Sequence, residues 1–251
     1  MDIIWTALGV GGATVIGSML GFFIKKPTHR LNDIILSFAA GVMLAAAVIG
    51  LIIPSLDSDN KLSILITIVG IICGAICLNL IDKLVPHLHK VTGIDGETHP
   101  DSTKQISKIL LFVIAIAIHN FPEGIAAGVS FGTGNISSAI TVAGGIALQN
   151  IPEGMVIIAP MLAAGMSKKR TFIIASLTGI VEVLGTFIGY YIVEISTIIL
   201  PFALAFAGGT MLYVISDEMI PETHSHGNER AATYALIVGF IVMLVFDFIL
   251  G

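Results

Sequence analysis

The chain has 251 residues, of which 55% are apolar and only 12% are Asp, Glu, Lys or Arg, with a net charge of −5. A soluble domain carries about 25% charged residues, and a mean hydropathy of +0.98 excludes that class along with disorder, a collagen-like fibre and a disulfide scaffold. The few scattered basic residues offer nucleic acid no footprint, so the composition reads as an all-α polytopic membrane protein.

Eight segments are long enough to cross a hydrocarbon core, which takes roughly 20 residues. They lie near 3–24, 33–56, 62–86, 106–131, 136–165, 171–193, 198–220 and 232–250. Together they read as a single transmembrane domain over 1–251, embedded in the lipid bilayer. The first segment is too long for a signal-peptide core and has no small-residue cleavage site after it, so it reads as a retained helix. In the third, Cys73 and Cys77 share a helix face; with no further Cys or His beside them they read as small apolar packing.

Charge fixes the expected orientation. Lys25, Lys26, Arg30, Lys83, Lys90, Lys104, Lys108, Lys168, Lys169, Arg170 and Arg230 all fall in or beside loops of one parity, and only Lys61 falls in the other. That asymmetry places the basic side in the cytoplasm, with both termini outside a cell membrane and the loop 87–105 inside. Small residues four apart recur at Gly17 and Gly21, Gly70 and Gly74, Gly124 and Gly128, and Gly185 and Gly189. They mark faces where helices can approach closely in lipid.

The chemistry concentrates in the fourth and fifth spans. His119-Asn120-Phe121-Pro122-Glu123-Gly124 and Gln149-Asn150-Ile151-Pro152-Glu153-Gly154 are copies of one pattern. Consecutive spans run in opposite directions, so two motifs near mid-span meet at one depth. Residues i, i+3 and i+4 share a helix face, so His119 and Asn120 flank Glu123 while Gln149 and Asn150 flank Glu153. Pro122 and Pro152 cannot donate to the carbonyls of Ile118 and Leu148, and a kink is expected at each motif. Irregular backbone at this depth lines a cavity or is buried in protein.

The sixth span adds Glu182, also near its middle. Three carboxylates at one depth are costly in lipid, and a divalent cation held among them relieves that cost. One buried His or Glu alone would fit a hydrogen bond between helices; a duplicated motif with a third carboxylate points to metal. Imidazole, carboxylate and amide oxygen suit Zn²⁺, and the same donors accept Cd²⁺, Fe²⁺, Mn²⁺ and Co²⁺. Glu123 and Glu153 as bridging carboxylates would hold two ions about 3.5–4 Å apart.

The H-N-F-P-E-G and Q-N-I-P-E-G motifs resemble the paired motifs of helices four and five in the ZIP (zinc- and iron-regulated transporter-like) family, and most of all its prokaryotic, GufA-like branch. The resemblance covers the whole chain. It implies a homodimer that moves divalent metal, foremost zinc, into the cytoplasm through a binuclear site between helices four, five and six. Carried over residue by residue, it implies one position formed by His119, Glu123, Gln149 and Glu153. The second is formed by Asn120, Glu123, Asn150, Glu153 and Glu182. Many members have His in place of Gln149, and some have Asp in place of Asn150.

An exit path is expected at the cytoplasmic end of the seventh span, along Asp217, Glu218, Glu222 and His224. His87, His89 and His99 in the long loop either receive the ion or belong to a solvated polar segment. Two other readings compete with transport. An intramembrane metallohydrolase needs a metal with an open water position and a general base, and the H-E-x-x-H spacing is absent. A non-transporting metal sensor would bind ions without flux. The sequence favours a transporter and no enzyme activity.

Overall fold

The structure, a computed structural model, describes residues 3–24, 28–56, 62–84, 117–131, 134–163, 165–195 and 199–250. Among them are α1 (Ile3–Gly21), α2 (His29–Ala45, continued to Ser55), α3 (Ser63–Leu84), α4 (117–130), α5 (Ile136–Ala163), α6 (Lys168–Ile195), α7 (Leu200–Val214, continued to Thr223) and α8 (Glu229–Leu250). Seven of the described helices are long and apolar enough to cross a membrane. The fourth expected span enters the described residues only from 117 onward. The loop 87–105, with His87, His89 and His99, lies outside them. The chain is thus a multi-pass membrane protein, with Trp5, Phe23, Tyr234 and Phe248 among the large apolar side chains left exposed on the bundle.

Helix ends fall within about four residues of those expected from hydropathy. The largest offset is at α2, which starts at His29 rather than 33. Thr28 causes it: its backbone is extended, and its Oγ1 accepts from the Leu31 amide at 3.2 Å. This side-chain cap satisfies one of the amides left open by the first turn. The expected kinks at Pro122 and Pro152 do not interrupt the helices, because α4 and α5 stay helical through both residues. The irregular turns lie elsewhere. Each of α2 and α7 widens into a π turn, over Ala46–Ile52 and Ile215–Met219, and each π turn is followed at once by Ile-Pro, at Ile53-Pro54 and Ile220-Pro221. A proline clashes with the carbonyl four residues back, here Gly50 and Asp217, and a π turn is one way to carry that extra width.

The helices α2 and α7 are the most buried by neighbours. Helix α8 packs on α2, α3 on α7, and α1 on both α5 and α6. Their shared interior is rich in alanine and methionine, including Ala39, Ala40, Met43, Ala46, Ala47 and Met211. The four glycine pairs sit at close approaches, as their spacing implied. Gly124 and Gly128 of α4 face the backbone of Glu182 and Thr186 on α6, while Gly185 and Gly189 return the contact to Phe121 and Ile125. Gly17 and Gly21 bring α1 against α5 at Ile151 and Ile158, and Gly70 and Gly74 bring α3 against α7. A Cβ at Gly124 would collide with the Glu182 carbonyl oxygen. The contact that lets α4 touch α6 therefore sits one residue from Glu123 and directly on Glu182.

Candidate metal site

The two motifs meet at one level, as their places in antiparallel spans required. Glu182 of α6 lies between them. Its Oε1 accepts from Asn120 Nδ2 of α4, and its Oε2 accepts from Asn150 Nδ2 of α5 at 2.7 Å. Asn120, Glu123, Gln149, Asn150 and Glu182 are all buried. Glu123 lies within electrostatic range of both Glu153 and Glu182.

The hydrogen bonds are divided unequally. Glu182 is fully engaged, whereas six oxygens on α4 and α5 are buried with no hydrogen-bond partner: Glu123 Oε1 and Oε2, Glu153 Oε1, Gln149 Oε1, Asn120 Oδ1 and Asn150 Oδ1. Buried polar atoms are nearly always paired, and leaving one unpaired costs about 1–3 kcal/mol, more for a charged group. One donor, Gln149 Nε2, is likewise buried and unpaired beside Glu123; a single amide nitrogen cannot satisfy six acceptors, whereas a cation joining them would. The donor set is carboxylate and amide oxygen. Among the described residues, no three His, Cys, Asp or Glu side chains converge closely enough to hold an ion by themselves, so the amides are integral to any such site.

His119 also reaches α7. Its Nδ1 lies 3.6 Å from Glu218 Oε2 in the π turn of α7. This is the contact that joins the motif on α4 to the expected exit path. The neighbouring Asp217 faces α3 instead: Tyr213 donates to its Oδ2 at 3.2 Å, and Asn79 Nδ2 donates to Tyr213 at 3.0 Å. Glu222, one turn on from Glu218, has its Oε1 4.0 Å from His226 Nε2. His224 is bound through both ring nitrogens, with Nδ1 2.8 Å from the Ile220 carbonyl and Nε2 3.2 Å from Thr233 Oγ1. It closes the end of α7 onto α8.

Three features of this region were not read from the sequence. The first is Thr14 on α1, whose Oγ1 donates to Glu182 Oε1 at 2.8 Å. The second is the Val10 carbonyl, which accepts from Asn150 Nδ2 at 3.2 Å. The available signal was Thr14 and Ser18 on the same small-residue face as Gly11, Gly17 and Gly21. The third is Asp33 on the first turns of α2, buried and clasped by His226 Nδ1 and Asn228 Nδ2, each at 2.9 Å. His29 stacks on the His226 ring, with centroids 4.5 Å apart.

Comparison with known proteins identifies the family. The family described as ZIP Zinc transporter matches residues 95–247. The chain is 38% identical to "Zinc transporter GufA" of Myxococcus xanthus, across 98% of this chain and 97% of that protein. It is 34% identical to "Zinc transporter ZIPB" of Bordetella bronchiseptica, across 95% and 78%. It is 31% identical to "Zinc transporter ZIP11" of Homo sapiens, across 96% and 94%. On the family match and on these near-full-length similarities, the chain belongs to the ZIP zinc transporter family.

Proposed function

We propose that this protein carries zinc across a cell membrane into the cytoplasm, through a site at mid-membrane depth that holds two ions between α4, α5 and α6. His119, Glu123, Gln149 and Glu153 form the first position. Asn120, Glu123, Asn150, Glu153 and Glu182 form the second, with Glu123 and Glu153 bridging. The observation that carries this reading is the excess of six unpaired oxygens over the one unpaired donor, Gln149 Nε2, on two facing helices, an excess that a divalent cation would satisfy. The relatives' printed names support zinc as the substrate. Cd²⁺, Fe²⁺, Mn²⁺ and Co²⁺ are further candidates, since oxygen-rich sites accept them.

Direction rests on charge: the basic loops mark the cytoplasmic side, and both termini face out. Ion release follows α7. His119 touches Glu218, so it is suited to hand the ion from the first position to Glu218, and Glu222 follows four residues later. Asp217 and His224 steady that path through Tyr213, Asn79 and Thr233. A midplane site between inverted helices suits alternating access, and we take the working unit to be a homodimer.

The test is zinc uptake into liposomes containing the purified protein. The wild type should accumulate zinc, and Glu123→Ala and Glu153→Ala should not, with no reconstituted peptide or lipid cleaved. Saturable binding without uptake would favour a sensor, and zinc-dependent cleavage would favour a hydrolase.

A further inference from the structure

We propose that Thr14 of α1 is a positioning residue for the second ion, acting through Glu182 to aim the amide oxygens of Asn120 and Asn150 into the site. The inference rests on the site proposed above and adds a helix to it.

Consider where each amide hydrogen goes. The amide group of Asn150 has two N–H donors and one oxygen. Its nitrogen donates to Glu182 Oε2 at 2.7 Å and to the Val10 carbonyl at 3.2 Å. Both donors are spent, so the direction of Oδ1 is fixed, and that oxygen is buried and unpartnered. Asn120 is held in the same sense: Nδ2 donates to Glu182 Oε1, and Oδ1 is buried and unpartnered. Glu182 is the hub that takes up both amide nitrogens and so leaves both amide oxygens, rather than the nitrogens, free to meet an ion. A hub must itself be held. Glu182 is on α6, and Thr14 reaches it from a third helix, donating to Oε1 at 2.8 Å.

Thr14 is well placed to hold something else. It is 1% exposed. Gly154 of α5 lies against its carbonyl and Gly179 of α6 lies against its side chain, while Ser18 Oγ donates back to its carbonyl at 2.9 Å. The residue sits where α1, α5 and α6 crowd together, so its hydroxyl has little freedom to leave Glu182. Groups that orient metal ligands matter nearly as much as the ligands, and losing one costs about 10–100-fold in metal affinity. Because Thr14 does not face the first position through Glu182, its effect should fall on one ion of the two.

The experiment is zinc titration by calorimetry of purified protein in detergent, for wild type, Thr14→Val, Thr14→Ser, Glu182→Ala and the Thr14→Val/Glu182→Ala double variant. Valine keeps the shape and removes the hydroxyl; serine keeps the hydroxyl. Thr14→Val should weaken the second ion about 10-fold or more and leave the first unchanged, while Thr14→Ser stays like wild type. In the Glu182→Ala background, where the second ion is already lost, Thr14→Val should leave the first ion and the metal-free melting temperature as they are in Glu182→Ala alone, whereas a general packing role would lower the melting temperature further. Wild type binding two ions with Thr14→Val unchanged, or with both ions weakened equally, overturns the role of Thr14 alone. A melting temperature of the double variant below that of Glu182→Ala alone does the same. A wild type that binds no zinc overturns the site reading itself, and this inference with it.

Discussion

Replacing Glu123 by methionine should make the metal-free protein more stable and zinc-blind at once. Glu123 is 1% exposed, neither carboxylate oxygen makes a hydrogen bond of good geometry, and the donor beside it is the Gln149 amide, itself unpaired. Methionine is unbranched, of similar length, and adapts to irregular surroundings. The substitution removes two orphan acceptors and fills their place with apolar atoms. It also removes a charge within range of Glu153 and Glu182. An unsatisfied buried group costs about 1–3 kcal/mol, and a chain of this size shifts its midpoint by about 2–4 °C per kcal/mol. Glu123→Met without metal should therefore melt roughly 2–12 °C above the metal-free wild type, by those same magnitudes. Zinc at 100 times its Kd adds about 2.7 kcal/mol to a protein that binds it only when folded. The wild type should gain that amount and the variant nothing, so the gap between them narrows or inverts as zinc is added. Thermal scans by circular dichroism in one detergent, with chelator and with zinc, measure all four states. A metal-free variant less stable than wild type would mean that Glu123 has structural partners, and the case for an ion at that point would fail.

Three further outcomes follow from the same geometry. Gly124→Ala places a Cβ on the Glu182 carbonyl, so α4 must withdraw from α6; the melting scan should show a loss of about 1–3 kcal/mol, as for overpacked cores, and calorimetry a loss of the second ion. Gln149→His replaces a neutral amide with a second imidazole beside His119, and should tighten Zn²⁺ more than Mn²⁺, which is content with oxygen; an unchanged Zn²⁺/Mn²⁺ competition ratio in liposomes would remove Gln149 from the first position. For orientation, a cysteine at Asn135 should react with an impermeant thiol reagent on intact cells, whereas one at Thr98 should react only after the membrane is opened, and outside labelling at Thr98 reverses the direction of transport proposed here.

Long apolar spans with polar connections declare themselves, which is why seven helix positions agree to within a turn or so. The motif residues were readable because they occur twice: a second Asn-x-Pro-Glu-Gly in the next, antiparallel span turns a chance polar residue into a meeting point, and Glu182 joins Asn120 and Asn150 there. Thr14 was not readable in the same way. One threonine in an apolar helix carries no pattern, and only the crossing of α1 over α5 and α6 brings it to Glu182. The two π turns were also missed. The expected span 33–56 already runs through Ile53-Pro54 and 198–220 stops just before Pro221, but nothing in either pattern shows the extra width at Ala46–Ile52 and Ile215–Met219. The asymmetry between Asp217 and Glu218 has the same origin, since adjacent residues point in different directions around a helix and only packing decides which of them faces His119.

The most direct measurement of the central claim is anomalous diffraction at the zinc edge from crystals of the wild-type protein soaked in zinc. The account predicts two peaks about 3.5–4 Å apart, as in bridged two-metal sites, both touching Glu123 and Glu153, with the second beside the amide oxygens of Asn120 and Asn150. Zinc found only at surface histidines, with the Glu123–Glu153 region empty at saturating metal, would contradict it.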